Sequence, residues 1–128
     1  MTRQGSCLCG AVAFEVNGDV RPVMFCHCSQ CRKTSGHFWA ATQVPTDQMT
    51  LTNDAGLTWF RSSDHARRGF CDACGSSLFW EMDGEGATSI AAGAFNNPTG
   101  LTAGTHIFVA DKGDYYDITD GLPQLARF

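Results

Sequence analysis

A chain of 128 residues suits one domain and leaves little room for two. Hydrophobic residues make up 43% of it and charged residues only 17%, with no long charged run, which excludes a disordered chain. The net charge of −4 argues against nucleic acid as the main partner, because phosphate binding shows as a basic patch.

Met1 to Ser6 hold no apolar run, so no signal peptide is expected. Val12, Phe14 and Val16 alternate with Ala11, Ala13 and Glu15 and predict a half-buried strand, closed by the turn residues Asn17-Gly18-Asp19. Pro22 to Phe25 predict a short strand, and Ser29 to Ser35 about one helical turn that Gly36 stops. Strands are expected over His37–Val44, Met49–Thr52 and Leu57–Arg61, with Pro45 and Asn53-Asp54-Ala55-Gly56 between them. Ser77–Glu81, Thr88–Ala92 and His106–Val109 complete the set. No segment of ten residues or more keeps a 3.6-residue period, so the pattern predicts an all-β domain. Trp39, Trp59 and Trp80 read as core-packing residues. The longest apolar stretches, such as Phe38 to Ala41, are far too short to span a membrane, and a cytoplasmic protein is the expectation.

Seven cysteines cannot pair completely in internal disulfides, and in a reducing compartment clustered cysteines point to metal or redox chemistry. They fall into three groups: Cys7 and Cys9; Cys26, Cys28 and Cys31; and Cys71 and Cys74. The last pair has the spacing of a metal knuckle, and Gly75 supplies the left-handed turn such a knuckle uses, although alone it could equally be a redox dithiol. Cys7 and Cys9 point to opposite faces of an ideal strand, so sharing a metal requires a bend, for which Gly10 is suited. The simplest partition is four plus three: Cys7, Cys9, Cys71 and Cys74 on one ion, and Cys26, Cys28 and Cys31 on another. Thiolate ligands select zinc or iron–sulfur chemistry, and the knuckle in a turn-rich β chain favours zinc. Three protein ligands leave a position for water or substrate, unless His27, His37, His65, His106 or a carboxylate closes the site.

Gly5-Ser6-Cys7-Leu8-Cys9-Gly10, Cys26-His27-Cys28-Ser29-Gln30-Cys31-Arg32-Lys33 and Arg68-Gly69-Phe70-Cys71-Asp72-Ala73-Cys74-Gly75 resemble the glutathione-dependent formaldehyde-activating family, which also includes centromere protein V. His106 to Val109, Asp117-Ile118 and Asp120 to Pro123 are similar too, so the resemblance spans one domain, about residues 5–123. It implies a zinc-stapled β-tent of two antiparallel sheets with two zinc ions per chain. The structural ion would sit on Cys7, Cys9, Cys71 and Cys74 and the second on Cys26, Cys28 and Cys31. It also implies a carbon–sulfur lyase-type activity like that of S-(hydroxymethyl)glutathione synthase, with glutathione as co-substrate and formaldehyde as the aldehyde. Arg32 and Lys33 would then lie where a glutathione carboxylate could be attracted, and Phe38 and Trp39 where a pocket wall could stand; a solvated surface pair and core packing are the alternatives. Two other readings use the same residues. One is a non-catalytic zinc-binding module that contacts another protein, as does a nucleotide-release chaperone with a similar scaffold. The other is a thiol redox protein.

Overall fold

The computed structural model describes residues 1–128. Ten strands carry the fold: β1 (Thr2–Ser6), β2 (Ala13–Asn17), β3 (Val23–Cys26), β4 (Trp39–Pro45), β5 (Met49–Asn53), β6 (Leu57–Arg61), β7 (Ala66–Cys71), β8 (Ser77–Met82), β9 (Ala87–Ala91) and β10 (Ala103–Ile107). The one α-helix, α1 (Ser29–Ser35), follows β3. Three strands form a small sheet in the order β1-β2-β5, and the other seven form a larger one in the order β10-β3-β4-β9-β8-β7-β6. The chain is therefore all-β with two sheets, as its period-2 segments predict.

Phe14 and Val16 of the small sheet, with Val12 just before β2, are all essentially buried against Val44, Leu78, Phe79, Ile90 and Phe95. Phe14 is the centre of this core. Its ring meets Phe79 edge-on at 5.6 Å and Phe95 at 5.3 Å, arrangements that aromatic quadrupoles favour. Cys7 and Cys71 are buried in the same core, so the four-cysteine group grows out of its edge. Trp39 is buried in a second, smaller core with Cys31, Ala41 and Ala91, against which Cys26, Cys28 and Trp80 pack. Trp59 is half-buried, under the Arg67 guanidinium at 3.8 Å from its ring centroid.

Three features depart from the sequence reading. The polar segment Thr2–Ser6 is a strand because β2 offers it an antiparallel partner, with Gly5 opposite Phe14. A Cβ on Gly5 would fall 2.5 Å from the Phe14 ring, so only glycine allows this approach. Ala66–Cys71, with two arginines and a glycine, is also a strand, held between β6 and β8. Finally, the sheets are not wholly antiparallel. β10 pairs with β3 in parallel, His106 opposite Phe25 and Ile107 opposite Cys26. The chain reaches this open edge beside the start of β3, where Val23 N–H donates to Thr102 O at 2.8 Å. The strand stops at Ile107 rather than Val109 because Phe108 takes a left-handed conformation (φ 54°), which breaks the ladder.

Gly56 threads between the two segments that carry the four-cysteine group. Its N–H donates to Ala11 O, its carbonyl accepts from Asp72 N–H, and a Cβ would stand 2.8 Å from Cys71 Sγ and 2.9 Å from Ala11 Cβ. Gly56→Ala is expected to lower stability by about 1–3 kcal/mol through overpacking. Urea unfolding measures this, and an unchanged midpoint would show that the two segments part freely.

Candidate metal centre

The seven cysteines are all free thiols, and the fold collects their sulfurs into two groups. In the first, Cys7, Cys9, Cys71 and Cys74 bring their sulfurs within 4.8 Å of one another. The bend between Cys7 and Cys9 is closed by Cys7 N–H to Val12 O at 2.9 Å, and Gly10 takes a left-handed φ of 85°. Opposite it, Gly75 (φ 81°) turns the knuckle so that its N–H donates to Cys71 O at 2.7 Å. Leu8 N–H donates to Ser76 Oγ at 3.1 Å, which ties the two turns together. Cys9 Sγ lies 3.7 Å from both Cys7 Sγ and Cys71 Sγ. A tetrahedron with metal–sulfur bonds of about 2.3 Å has edges of about 3.8 Å, so this donor set fits a zinc ion. Hydrogen bonding to Ser76 holds the Cys74 thiol down at about 5, the direction that favours a thiolate ligand.

The second group is built by the end of β3 and the start of α1. Cys28 is the N-cap of α1: its backbone is extended, and its sulfur accepts the N–H of Cys31 at 3.3 Å. That cap folds Cys31 back over Cys28, while Cys26 approaches from the strand, and the three sulfurs again lie within 4.8 Å of one another. Hydrogen bonds from Cys26 and Cys31 drive the Cys28 thiol well below its ordinary range, and the same contacts, with burial, push Cys26 up. Three thiolates this close repel one another, so full ionisation of the group requires a cation among them. An all-thiol set fits zinc here too.

No histidine nitrogen or carboxylate oxygen stands with these three sulfurs. His27, next to two of them in sequence, is buried, and both its ring nitrogens are engaged by Tyr116 and His106. Burial, with the facing His106, pushes its imidazole down to about 4. His106 binds His27 and Asp120, His37 binds the Tyr115 hydroxyl at 2.7 Å, and His65 is exposed.

What the sequence reading missed is Arg68. It is 6% exposed, and no carboxylate pairs with it. Its Nη2–H donates to Cys31 Sγ at 3.4 Å and its Nε–H to Gln30 Oε1 at 2.9 Å, while the guanidinium lies 5.6 Å from the Trp39 ring centroid. A buried guanidinium calls for a counter-charge; the one ionisable group it touches is the Cys31 thiol, and its Nη1 has no hydrogen-bond partner. Arg68 sits three residues before the knuckle in a strand that the sequence pattern did not signal. Of the two cations singled out in sequence, Lys33 is exposed, whereas Arg32 is half-buried and its Nε has no hydrogen-bond partner. Phe38 packs on Phe25 and His27, and Trp39 beside Cys31.

The family model described as glutathione-dependent formaldehyde-activating enzyme matches residues 2–111, which include all seven cysteines and Arg68. The chain belongs to this family. An uncharacterized lyase of Schizosaccharomyces pombe is 29% identical over 121 residues, covering 91% of this chain and 85% of the relative. A Halomonas elongata protein, assigned by name to glutathione-dependent formaldehyde activation, is 36% identical over 91 residues, 65% of this chain and 57% of that one. A crystal structure of a Rhodobacter sphaeroides protein superposes with a TM-score of 0.59 at 21% identity, covering 95% of this chain and 98% of the other. That likeness establishes the shared fold. Tyr116 and Asp120, which engage His27 and His106, lie beyond the residues that the formaldehyde-activating family model matches.

Proposed function

We propose that this protein is a zinc-dependent carbon–sulfur lyase-type enzyme that handles the adduct of glutathione with a small aldehyde, formaldehyde in the simplest case. Residues 5–123 would form the functional domain, acting in the cytoplasm; no helix is long and apolar enough to cross a membrane. The reading is carried by one observation: three clustered thiols with no fourth protein donor beside them, backed by a buried guanidinium. The names of the relatives point to the same chemistry.

In this reading Cys7, Cys9, Cys71 and Cys74 would hold a structural ion, and Cys26, Cys28 and Cys31 would hold a second one with no fourth protein ligand beside it. Zinc there supplies the positive charge that keeps an added thiol in its nucleophilic thiolate form. In the addition, the thiolate sulfur forms a bond to the carbonyl carbon, the carbon–oxygen π pair moves to oxygen, and that oxygen takes up a proton to give the hydroxymethyl thioether. The protein's own groups set the stage. Arg68 would offset the single negative charge of three thiolates around a divalent ion, so that an anionic substrate would approach at lower electrostatic cost. Arg32, directly after Cys31 in the chain and half-buried with an unpartnered Nε, would attract a glutathione carboxylate in this reading.

Calorimetry tests the first step. Glutathione should bind the zinc-loaded chain and release a proton at neutral pH, because the free thiol titrates near about 8.5 and loses its proton on coordination. Heats in two buffers of different ionisation enthalpy measure that proton. The analogue ophthalmate, which lacks the thiol, should bind far more weakly, and Cys31→Ser should abolish the signal. A glutathione signal that is absent, or indifferent to Cys31, would leave the protein-interaction reading in its place.

A further inference from the structure

Alternation along the end of β3 divides the Cys26–His27–Cys28 turn into two faces. The sulfurs gather on one. On the other, the rings of Phe25 and His27 share two neighbours: Phe38, at 5.4 and 5.1 Å, and His106, at 4.9 and 5.0 Å. His27 Nε2 meets His106 Nδ1 at 2.7 Å, and His27 Nδ1 meets the Tyr116 hydroxyl. His106, also buried, continues through Nε2 to Asp120 Oδ2 at 2.8 Å. Four side chains thus form an unbranched run from a partly exposed carboxylate, through two buried imidazoles, to a phenol.

The backbone around this run is pinned as well. His27 N–H donates to Ile107 O, His106 exchanges hydrogen bonds with Pro123 and Leu125, and Leu122 N–H donates to Asp120 Oδ1. Lys112 Nζ donates to the Tyr116 carbonyl and lies 4.7 Å from its ring centroid. The C-terminal segment is therefore laid across the back of the ligand turn by polar contacts.

We propose that Asp120, His106 and Tyr116 are positioning residues for the three-cysteine centre, locking His27 from behind and so fixing the backbone that carries Cys26 and Cys28. This rests on the reading of those cysteines as a metal centre. The lock follows from hydrogen-bond arithmetic. An ionised carboxylate only accepts, so His106 gives it the Nε2 proton, and in the singly protonated arrangement proposed here Nδ1 offers a lone pair. His27 fills that lone pair with its own Nε2 proton, and Tyr116 donates to the remaining His27 nitrogen. Turning His27 strands buried donors and acceptors on both sides, and that desolvation opposes the motion.

Two measurements on the zinc-loaded full chain test this. In long-range proton–nitrogen spectra of histidine-labelled protein, His27 and His106 should both be Nε2–H tautomers. A Nδ1–H or doubly protonated ring at either position would overturn the chain. Zinc transfer to a chromophoric chelator should show two phases, with Cys31→Ser, which keeps only the four-cysteine ion, identifying the other phase. Asp120→Asn and Tyr116→Phe should each speed release from the three-cysteine centre about tenfold, the usual scale for groups that orient ligands, and leave the four-cysteine phase unchanged. Acceleration of both phases together, or of neither, would reduce the chain to ordinary packing and sink the proposal. If both measurements come out as expected but no thiol–aldehyde turnover is found, the positioning role stands and the enzymatic reading falls. Turnover with unchanged release rates does the opposite: the enzymatic reading stands and the positioning role falls.

Discussion

Replacing Cys71 by serine is expected to unfold the protein, whereas Cys31→Ser leaves it folded with one zinc ion instead of two. Cys71 is fully buried in the main core and sits with Cys7 and Cys9 from a segment more than sixty residues earlier. An ion at this place closes a long loop and bridges both sheets, since Cys7 follows β1 and Cys71 ends β7. Structural zinc ligation contributes on the order of 10 kcal/mol in small domains, comparable to the whole stability of a chain this size. Cys26, Cys28 and Cys31 come from six consecutive residues, so their ion closes no long loop. Circular dichroism, thermal melts and elemental analysis of both variants distinguish the two roles. Equal unfolding of the two would make the three-cysteine centre structural and remove the main support for catalysis there.

Arg68→Met should cost the zinc-loaded protein about 3–5 kcal/mol, the scale seen when one member of a buried ion pair is removed. Methionine fills much of the space, but the thiolates keep their excess negative charge with no counter-charge, and Gln30 loses its donor. The three-cysteine centre should lose zinc first, and glutathione binding with it, because an anionic fourth ligand then adds to an uncompensated charge. Arg68→Lys, which keeps the charge but cannot serve Gln30 and Cys31 together, should retain part of both. Denaturant unfolding alongside zinc analysis measures these effects. If Arg68→Met holds both ions as tightly as the unaltered chain, the guanidinium is ordinary packing against Trp39 and has no electrostatic role.

Spacing showed the three clusters of cysteines, and the simplest four-plus-three partition of them matches the two groups of sulfurs that the fold collects. Cys26, Cys28 and Cys31 fall within six residues, and Cys71 and Cys74 stand at a knuckle interval followed by Gly75. The core face of β2 was equally plain, since Val12, Phe14 and Val16 alternate at the period of a strand. Those are local properties, and a sequence states local properties directly. The fold decided what depends on partners far away in the chain. Thr2–Ser6 and Ala66–Cys71 have weak strand character of their own and become strands because neighbouring edges complete their hydrogen bonds. β10 joins β3 in parallel because of where a long connection delivers it, which no periodicity encodes. Arg68 looks like one more charged residue until β7 carries it to Cys31, 37 residues away. His27, which alternation by itself turns from the sulfurs, is held there by His106 and Tyr116, which lie 79 and 89 residues distant. The sequence determined which thiols gather as a set; burial and long-range pairing determined which charges and hydrogen bonds surround them.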